Sequence, residues 1–190
     1  FTNGVQGLSN FRRDVLNNYI DKLLTICKYS KQNKTKIGVK FYNKTSEFFL
    51  KHTIKKINSK YKMNSKFLSF NDKGISKYIL SQPNLIVFDQ IGTGAMECFN
   101  YGIPVMIIHN KDYNKPNKLS EKHFHELQSS GILHTNIDSL FNEYLIFKKS
   151  PKTWMKKKKR KKSIENFCKK YAMTDKNWST KFRNYLNDVK

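Results

Sequence analysis

The chain has 190 residues, with 37 Lys plus Arg against 14 Asp plus Glu and a formal net charge of +23. Hydrophobic residues make up 38% and aromatics 14%, too rich for a disordered chain and enough to build one folded domain with a real core. No run approaches the ~20 consecutive apolar residues of a membrane-spanning helix, so such a span is excluded.

In chain order, Ser9 precedes Val15, Leu16, Tyr19, Ile20, Leu23, Leu24 and Cys27, whose three- and four-residue spacing predicts a long amphipathic helix. Lys36 to Tyr42 alternates and is rich in β-formers; Thr45 and Ser46 then offer a cap for a second helix carrying Phe48, Phe49, Ile54 and Ile57. Phe67 to Phe70 reads as a short strand, Ile75 to Leu80 as a short helix, and Leu85 to Asp89 as an apolar strand. A helix over Ala95 to Tyr101 follows, then a strand over Val105 to Ile108, a polar loop to Leu119, a helix over Phe124 to Gln128 and a strand near Ile132. From Ile137 onward only helices are predicted: one to about Phe147, one starting after Pro151 and one ending near Leu186. Apolar strands alternating with helices, each strand buried on both faces, predict an α/β fold with a Rossmann-like parallel sheet. The expected organisation is a Rossmann-like domain over residues 1–150 and a basic helical segment over residues 151–190 packed on it.

The basic excess is 33 Lys to only 4 Arg, beside 20 Asn. That profile fits AT-rich coding better than a domain built to read base edges and clamp phosphates with Arg, so nucleic acid is a disfavoured partner. Cys27, Cys98 and Cys168 are odd in number and widely spaced, without a CxxC pair, which predicts neither a disulfide framework nor a zinc knuckle. A reducing, cytoplasmic compartment is expected. Phe1 begins the sequence and no secretory signal pattern follows it, so the expectation is a chain cut from a longer protein.

The stretch from Leu85 to Ile108 reads strand, glycine turn, helix, Gly-Pro turn, strand. In an open parallel sheet, ligands bind beyond the carboxyl ends of the strands, where Gln90 to Gly94 falls. Gly92 and Gly94 allow close backbone approach, and the first N–H groups of the following helix suit an anion. The same two glycines also fit a plain tight turn, and Thr93 with Glu97 also fits a helix-start signature. As a site, Thr93 and Glu97, one helical turn apart and on the same side, suit one residue to phosphates and one to ribose hydroxyls. The dinucleotide fingerprint is absent because Glu97 stands at its third glycine position, which disfavours an NAD-dependent oxidoreductase.

Asp89, Thr93, Glu97, Gly102 and Pro104 give D-x3-T-x3-E-x4-G-x-P, which resembles the donor-site segment in the C-terminal domain of GT-B glycosyltransferases. With Tyr19 to Leu24, Val39 to Tyr42, Gly131 to His134 and Phe167 to Ala172, the order of motifs resembles an uncharacterised bacterial family of surface-carbohydrate and polysaccharide-biosynthesis transferases. The resemblance implies that residues 1–150 bind a nucleotide-sugar donor, with Gly92, Thr93 and Gly94 holding phosphates and Glu97 the ribose. It also implies Lys40 as a cation for the diphosphate, which otherwise reads as a strand-end surface lysine, and counts Asp89 among the donor-binding residues; His109, just past the fourth strand, reads as a donor-site wall or pyrophosphate contact, or as a solvated loop histidine. It leaves catalytic residues unassigned, expects no cofactor or metal, and implies a separate N-terminal domain for a saccharide or lipid-linked acceptor. The sequence departs from many such sites in lacking an Arg at the first-strand position and a second Glu ahead of the turn.

His123 and His125 form H-x-H, but residues two apart on a helix diverge and no Cys or spaced carboxylate completes a tetrahedral set. Lys156, Lys157, Lys158, Lys159, Arg160, Lys161 and Lys162 are seven consecutive basic residues. Flanked by Trp154, Met155, Ile164 and Phe167, they read either as a solvated face or as a contact for a polyanion or an anionic lipid surface. The latter places the protein peripherally on the inner face of the plasma membrane. Three functions compete: a glycosyltransferase donor domain, a CDP-polyol phosphotransferase of the teichoic-acid type, and a noncatalytic basic module on nucleic acid or anionic membrane.

Overall fold

The computed structural model describes residues 13–40, 44–61, 65–68, 85–110 and 115–172, together with Asn177, Thr180, Lys181, Arg183, Asn184 and Asn187. Helix α1 (Arg13–Gln32) buries Leu23, Ile26, Cys27 and Ser30, one stripe of a 3.6-residue period. Strands β1 (Ile37–Lys40) and β2 (Ser65–Leu68) pair in parallel, Ile37 opposite Ser65 and Lys40 opposite Leu68, with helix α2 (Lys44–Tyr61) as their crossover. A second ladder joins β3 (Ile86–Phe88), β4 (Val105–Ile108) and β5 (Leu133–His134) in that order, again all parallel. Ile86 faces Val105 and Ile107 faces Leu133. Helices α3 (Thr93–Asn100) and α4 (Lys118–Ser129) are the crossovers of this ladder.

The chain is therefore an α/β protein with a Rossmann-like arrangement of parallel strands and flanking helices. Burial on both faces holds for β4, where all four residues are buried. It does not hold for β1, where Gly38 is exposed between half-buried Ile37 and buried Val39. Helix α4 begins well before the Phe124 expected from periodicity because Asn117 caps it, its Oδ1 accepting from the Ser120 N–H at 2.9 Å. Asn136 does the same for helix α5 (Ile137–Lys149), accepting from the Ser139 N–H at 2.8 Å. The helix expected over Ile75 to Leu80, the strand end at Phe70 and the helix end near Leu186 lie outside the described residues.

Two crossover helices end by the same device. After α3, Gly102 takes φ +67; its N–H bonds the Phe99 carbonyl at 3.1 Å and the Ile103 N–H bonds that of Cys98 at 2.9 Å. After α4, Gly131 takes φ +77; its N–H bonds the Gln128 carbonyl at 3.1 Å and the Ile132 N–H bonds that of Leu127 at 3.0 Å. Each is a Schellman cap that uses the left-handed freedom of glycine to reverse the chain into the next strand. The G-x-P portion of the donor-like motif is thus a helix stop followed by a strand start, where the Pro104 carbonyl accepts from the Ile86 N–H at 3.0 Å.

Helices α6 (Pro151–Trp154) and α7 (Lys158–Tyr171) share the core of the β3–β5 ladder, contributing Trp154, Ile164, Phe167 and Cys168. Phe167 meets Phe99 of α3 and Phe124 of α4 edge-on, with centroids 6.4 and 6.3 Å apart. Burying a side chain of this size contributes roughly 1.5–3 kcal/mol. Helix α1 docks against α5: Tyr29 stacks on Phe141 at 4.2 Å and its hydroxyl donates to Asp138 Oδ1 at 2.7 Å.

Arg160 departs from the sequence expectation for the basic run. It is only 2% exposed, its Nε donating to the Ser130 carbonyl at 3.0 Å, Nη1 to the Trp154 carbonyl and Nη2 to Glu143 Oε1. The guanidinium also lies 3.7 Å from the Trp154 ring centroid, and the Trp154 indole N–H donates to the same Glu143 oxygen at 2.7 Å. A rigid planar fork with five donors suits two carbonyls and a carboxylate at once. Arg160 is therefore a structural clasp rather than part of a surface contact. Trp154, Ile164 and Phe167 are likewise buried and so do not face a lipid phase.

The clasp gives the two left-handed glycines different sensitivities. A Cβ on Gly131 would lie 2.7 Å from Glu143 Cδ and 3.1 Å from Arg160 Nη2, whereas one on Gly102 would meet nothing within 4 Å. Urea denaturation should therefore show Gly102→Ala losing about 1–2 kcal/mol, the left-handed backbone cost alone, and Gly131→Ala losing clearly more; equal losses would contradict the clasp. His134 is buried beside the clasp, with Nε2 3.1 Å from the Gly131 carbonyl and Nδ1 3.1 Å from Ser139 Oγ. Because a carbonyl only accepts, Nε2 carries the proton. Burial holds this imidazole below its ordinary value of 6.5, with Arg160 adding to the shift and the Gly131 carbonyl and Glu143 opposing it. The unfolded chain thus binds this proton more readily, so stability is full above about pH 6.5 and falls as pH drops toward the folded value. Equilibrium denaturation between about pH 7 and 5 should show that decline, and His134→Gln should flatten it.

Candidate functional site

The carboxyl edge of the β3–β5 ladder carries the turn singled out by the motif. Phe88 pairs with Ile107 across β3 and β4, so Asp89 and His109 lie one and two residues beyond that pair at the same edge. Asp89 is half-buried and His109 is buried, its ring edge-on to Phe124 at 5.3 Å. Lys40 ends β1, on the other ladder, and burial pushes its ammonium below the ordinary lysine value.

Gly92, not Thr93, is the N-cap of α3, with φ −152 and ψ −179 and no side chain to occupy the first turn. Its carbonyl accepts from the Ala95 and Met96 N–H groups at 3.0 and 3.2 Å, while helix geometry leaves the N–H groups of Thr93 and Gly94 outside that ladder. Neighbouring α4 and α5 are closed by Asn117 and Asn136 side chains. No acidic residue stands in the first turn of α3, so nothing there offsets the positive end of the helix. Thr93 and Glu97 are both exposed and four residues apart, on one side of α3.

Gly92 has no structural reason to be glycine. Its extended backbone is open to any residue, and a Cβ there would meet nothing within 4 Å. This contrasts with Gly102 and Gly131, both of which sit at positive φ. Cys98, next to Glu97, is buried, and burial together with the Glu97 charge pushes its thiol up to about 12; it stays protonated and is no nucleophile. His123 is half-buried with its ring edge-on to Tyr171 at 5.4 Å, while His125 is exposed, so the H-x-H pair diverges. Among the described residues no group of three or more His, Cys, Asp or Glu is placed to hold a metal ion.

Sequence reasoning missed the Asn117 and Asn136 caps and the Glu143–Arg160–Trp154 cluster. The caps were hidden among 20 Asn. The cluster carried one signal, a single Arg chosen within a run of Lys.

No helix among the described residues is long and apolar enough to cross a membrane. No curated protein and no solved structure matches the chain. Residues 5–186 match the family described as LIC12162 family transferase. That match takes in both ladders, the Gly92 turn and the clasp, and the chain belongs to this transferase family.

Proposed function

We propose that the chain binds a nucleotide-sugar donor at the carboxyl edge of β3 and acts as the donor-binding domain of a GT-B-type glycosyltransferase in bacterial surface polysaccharide or lipopolysaccharide synthesis. The observation that carries this reading is Gly92: a glycine that neither backbone strain nor packing requires, at the uncapped start of a helix on the ligand-binding edge. A Cβ at Gly92 would meet nothing within 4 Å, and in this reading a diphosphate lies there against the Thr93 and Gly94 N–H groups. Membership of a transferase family supports the reaction class.

In this reading Thr93 contacts the phosphates and the Glu97 carboxylate accepts hydrogen bonds from the ribose hydroxyls. Transfer of the sugar breaks its bond to the diphosphate, and negative charge grows on the departing oxygen. Oriented N–H donors and the Lys40 ammonium stabilise that charge because they are fixed before the reaction begins. A saccharide or lipid-linked acceptor, and the group that activates it, belong to a second domain.

A thermal-shift panel of CMP, CDP, UDP, GDP and ADP on this chain tests the proposal. A ligand at ~100 times its dissociation constant adds about 2.7 kcal/mol, and one nucleotide should protect selectively; CDP as that nucleotide would favour polyol-phosphate transfer. Glu97→Ala and Gly92→Val should each remove the protection while leaving unliganded stability within about 1 kcal/mol of the parent. Undiminished protection in both variants would place the nucleotide elsewhere.

A further inference from the structure

With Arg160 turned inward, the rest of the basic segment forms a surface of distinct character. Between residues 148 and 170, Lys148, Lys149, Lys152, Lys156 to Lys159, Lys161, Lys162, Lys169 and Lys170 are all exposed. Along α7, Arg160, Ser163, Ile164, Phe167 and Cys168 are buried, which fixes the rotation of the helix. At 100° per residue, Lys158, Lys162 and Lys169 then fall within about 40° of one another, directly opposite the buried stripe. Glu165 is the acidic side chain on this face, and it pairs with Lys161 across 3.8 Å at an exposed site, a contact of small weight.

We infer that this lysine face is a docking surface for an anionic phospholipid bilayer. Charge complementarity selects a polyanion, and two features select lipid over nucleic acid. Between residues 148 and 171 the aromatics are withdrawn: Trp154 and Phe167 are buried and Tyr171 packs on Phe167 at 4.7 Å, so that stretch offers no platform for base stacking. Arg160, the arginine between residues 148 and 170, is also withdrawn, so that stretch presents no exposed fork to read base edges. A helix side on which Lys158, Lys162 and Lys169 outnumber Glu165 suits the headgroup phosphates of a bilayer, adsorbed without apolar insertion. The Arg160 clasp joins α7 to the end of α4 and to α5, and the Phe167 contacts with Phe99 and Phe124 join it to α4 and to α3, the helix that begins at the Gly92 turn. The inference is independent of the donor reading.

Co-sedimentation at ~0.1 M salt tests it, using vesicles of phosphatidylcholine alone or with ~30% phosphatidylserine. The chain should pellet only with the anionic vesicles and be released at ~0.5 M salt. Replacing Lys158, Lys162 and Lys169 together by Gln should weaken the partition by tenfold or more. Replacing exposed Lys36, Lys55 and Lys56 by Gln removes the same charge from another part of the chain and should change it less than about threefold. Circular dichroism should show both variants folded, since every substituted side chain is exposed. Equal losses in the two variants, no pelleting with anionic vesicles, or retention on duplex RNA without retention on vesicles would each overturn the inference.

Discussion

A guanidinium that never loses its charge lies almost wholly out of water at Arg160, and much of the C-terminal half is arranged to satisfy it. Burial of an unpaired charge is prohibitive, so each donor must find an acceptor. The Ser130 carbonyl comes from the end of α4, the Glu143 carboxylate from α5 and the Trp154 carbonyl from α6. Four helices are thereby fixed around one side chain, and removing a partner from such a buried pair costs about 3–5 kcal/mol. The absence of a Cβ at Gly131 follows from the same constraint, because the Glu143 carboxylate occupies that space. His134 is buried beside the same cluster, its Nε2 3.1 Å from the Gly131 carbonyl.

The clasp relates to function through position. It ties α7 to the end of α4 and to α5, while Phe167 packs α7 on Phe99 of α3, the helix that begins at the Gly92 turn. One end of the second ladder is therefore closed by Schellman glycines and the other is left with an uncapped helix start. Gly102 and Gly131 reverse the chain at the ends of α3 and α4, where positive φ is needed. Gly92 lies at the opposite end of α3, where extended backbone would tolerate any residue. Glycines with different physical causes thus occupy one short stretch of sequence, and only the backbone angles separate them.

Sequence periodicity made the alternation of strands and helices legible, because buried runs such as Val105 to Ile108 admit few other readings. Helix starts were less legible: Asn117 and Asn136 cap their helices through side-chain oxygen atoms that composition makes inconspicuous. The turn after β3 was visible from its glycines, but Thr93 stood equally well as a cap until Gly92 was found in that place. The basic run was legible as charge and illegible as structure. A run of seven like residues gives no period from which to tell which side chain turns inward, and the one that does is held by partners 17 and 30 residues away.

The central claim is that a nucleotide diphosphate lies against the first turn of α3. Amide hydrogen exchange on this chain, with and without the nucleotide that most raises its melting temperature, addresses that claim at the backbone. The account predicts slowed exchange concentrated at Thr93, Gly94 and the residues up to Glu97, with the caps of α4 and α5 unchanged. Protection centred on another edge of the sheet, or none at the Gly92 turn while the nucleotide still stabilises the chain, would contradict it.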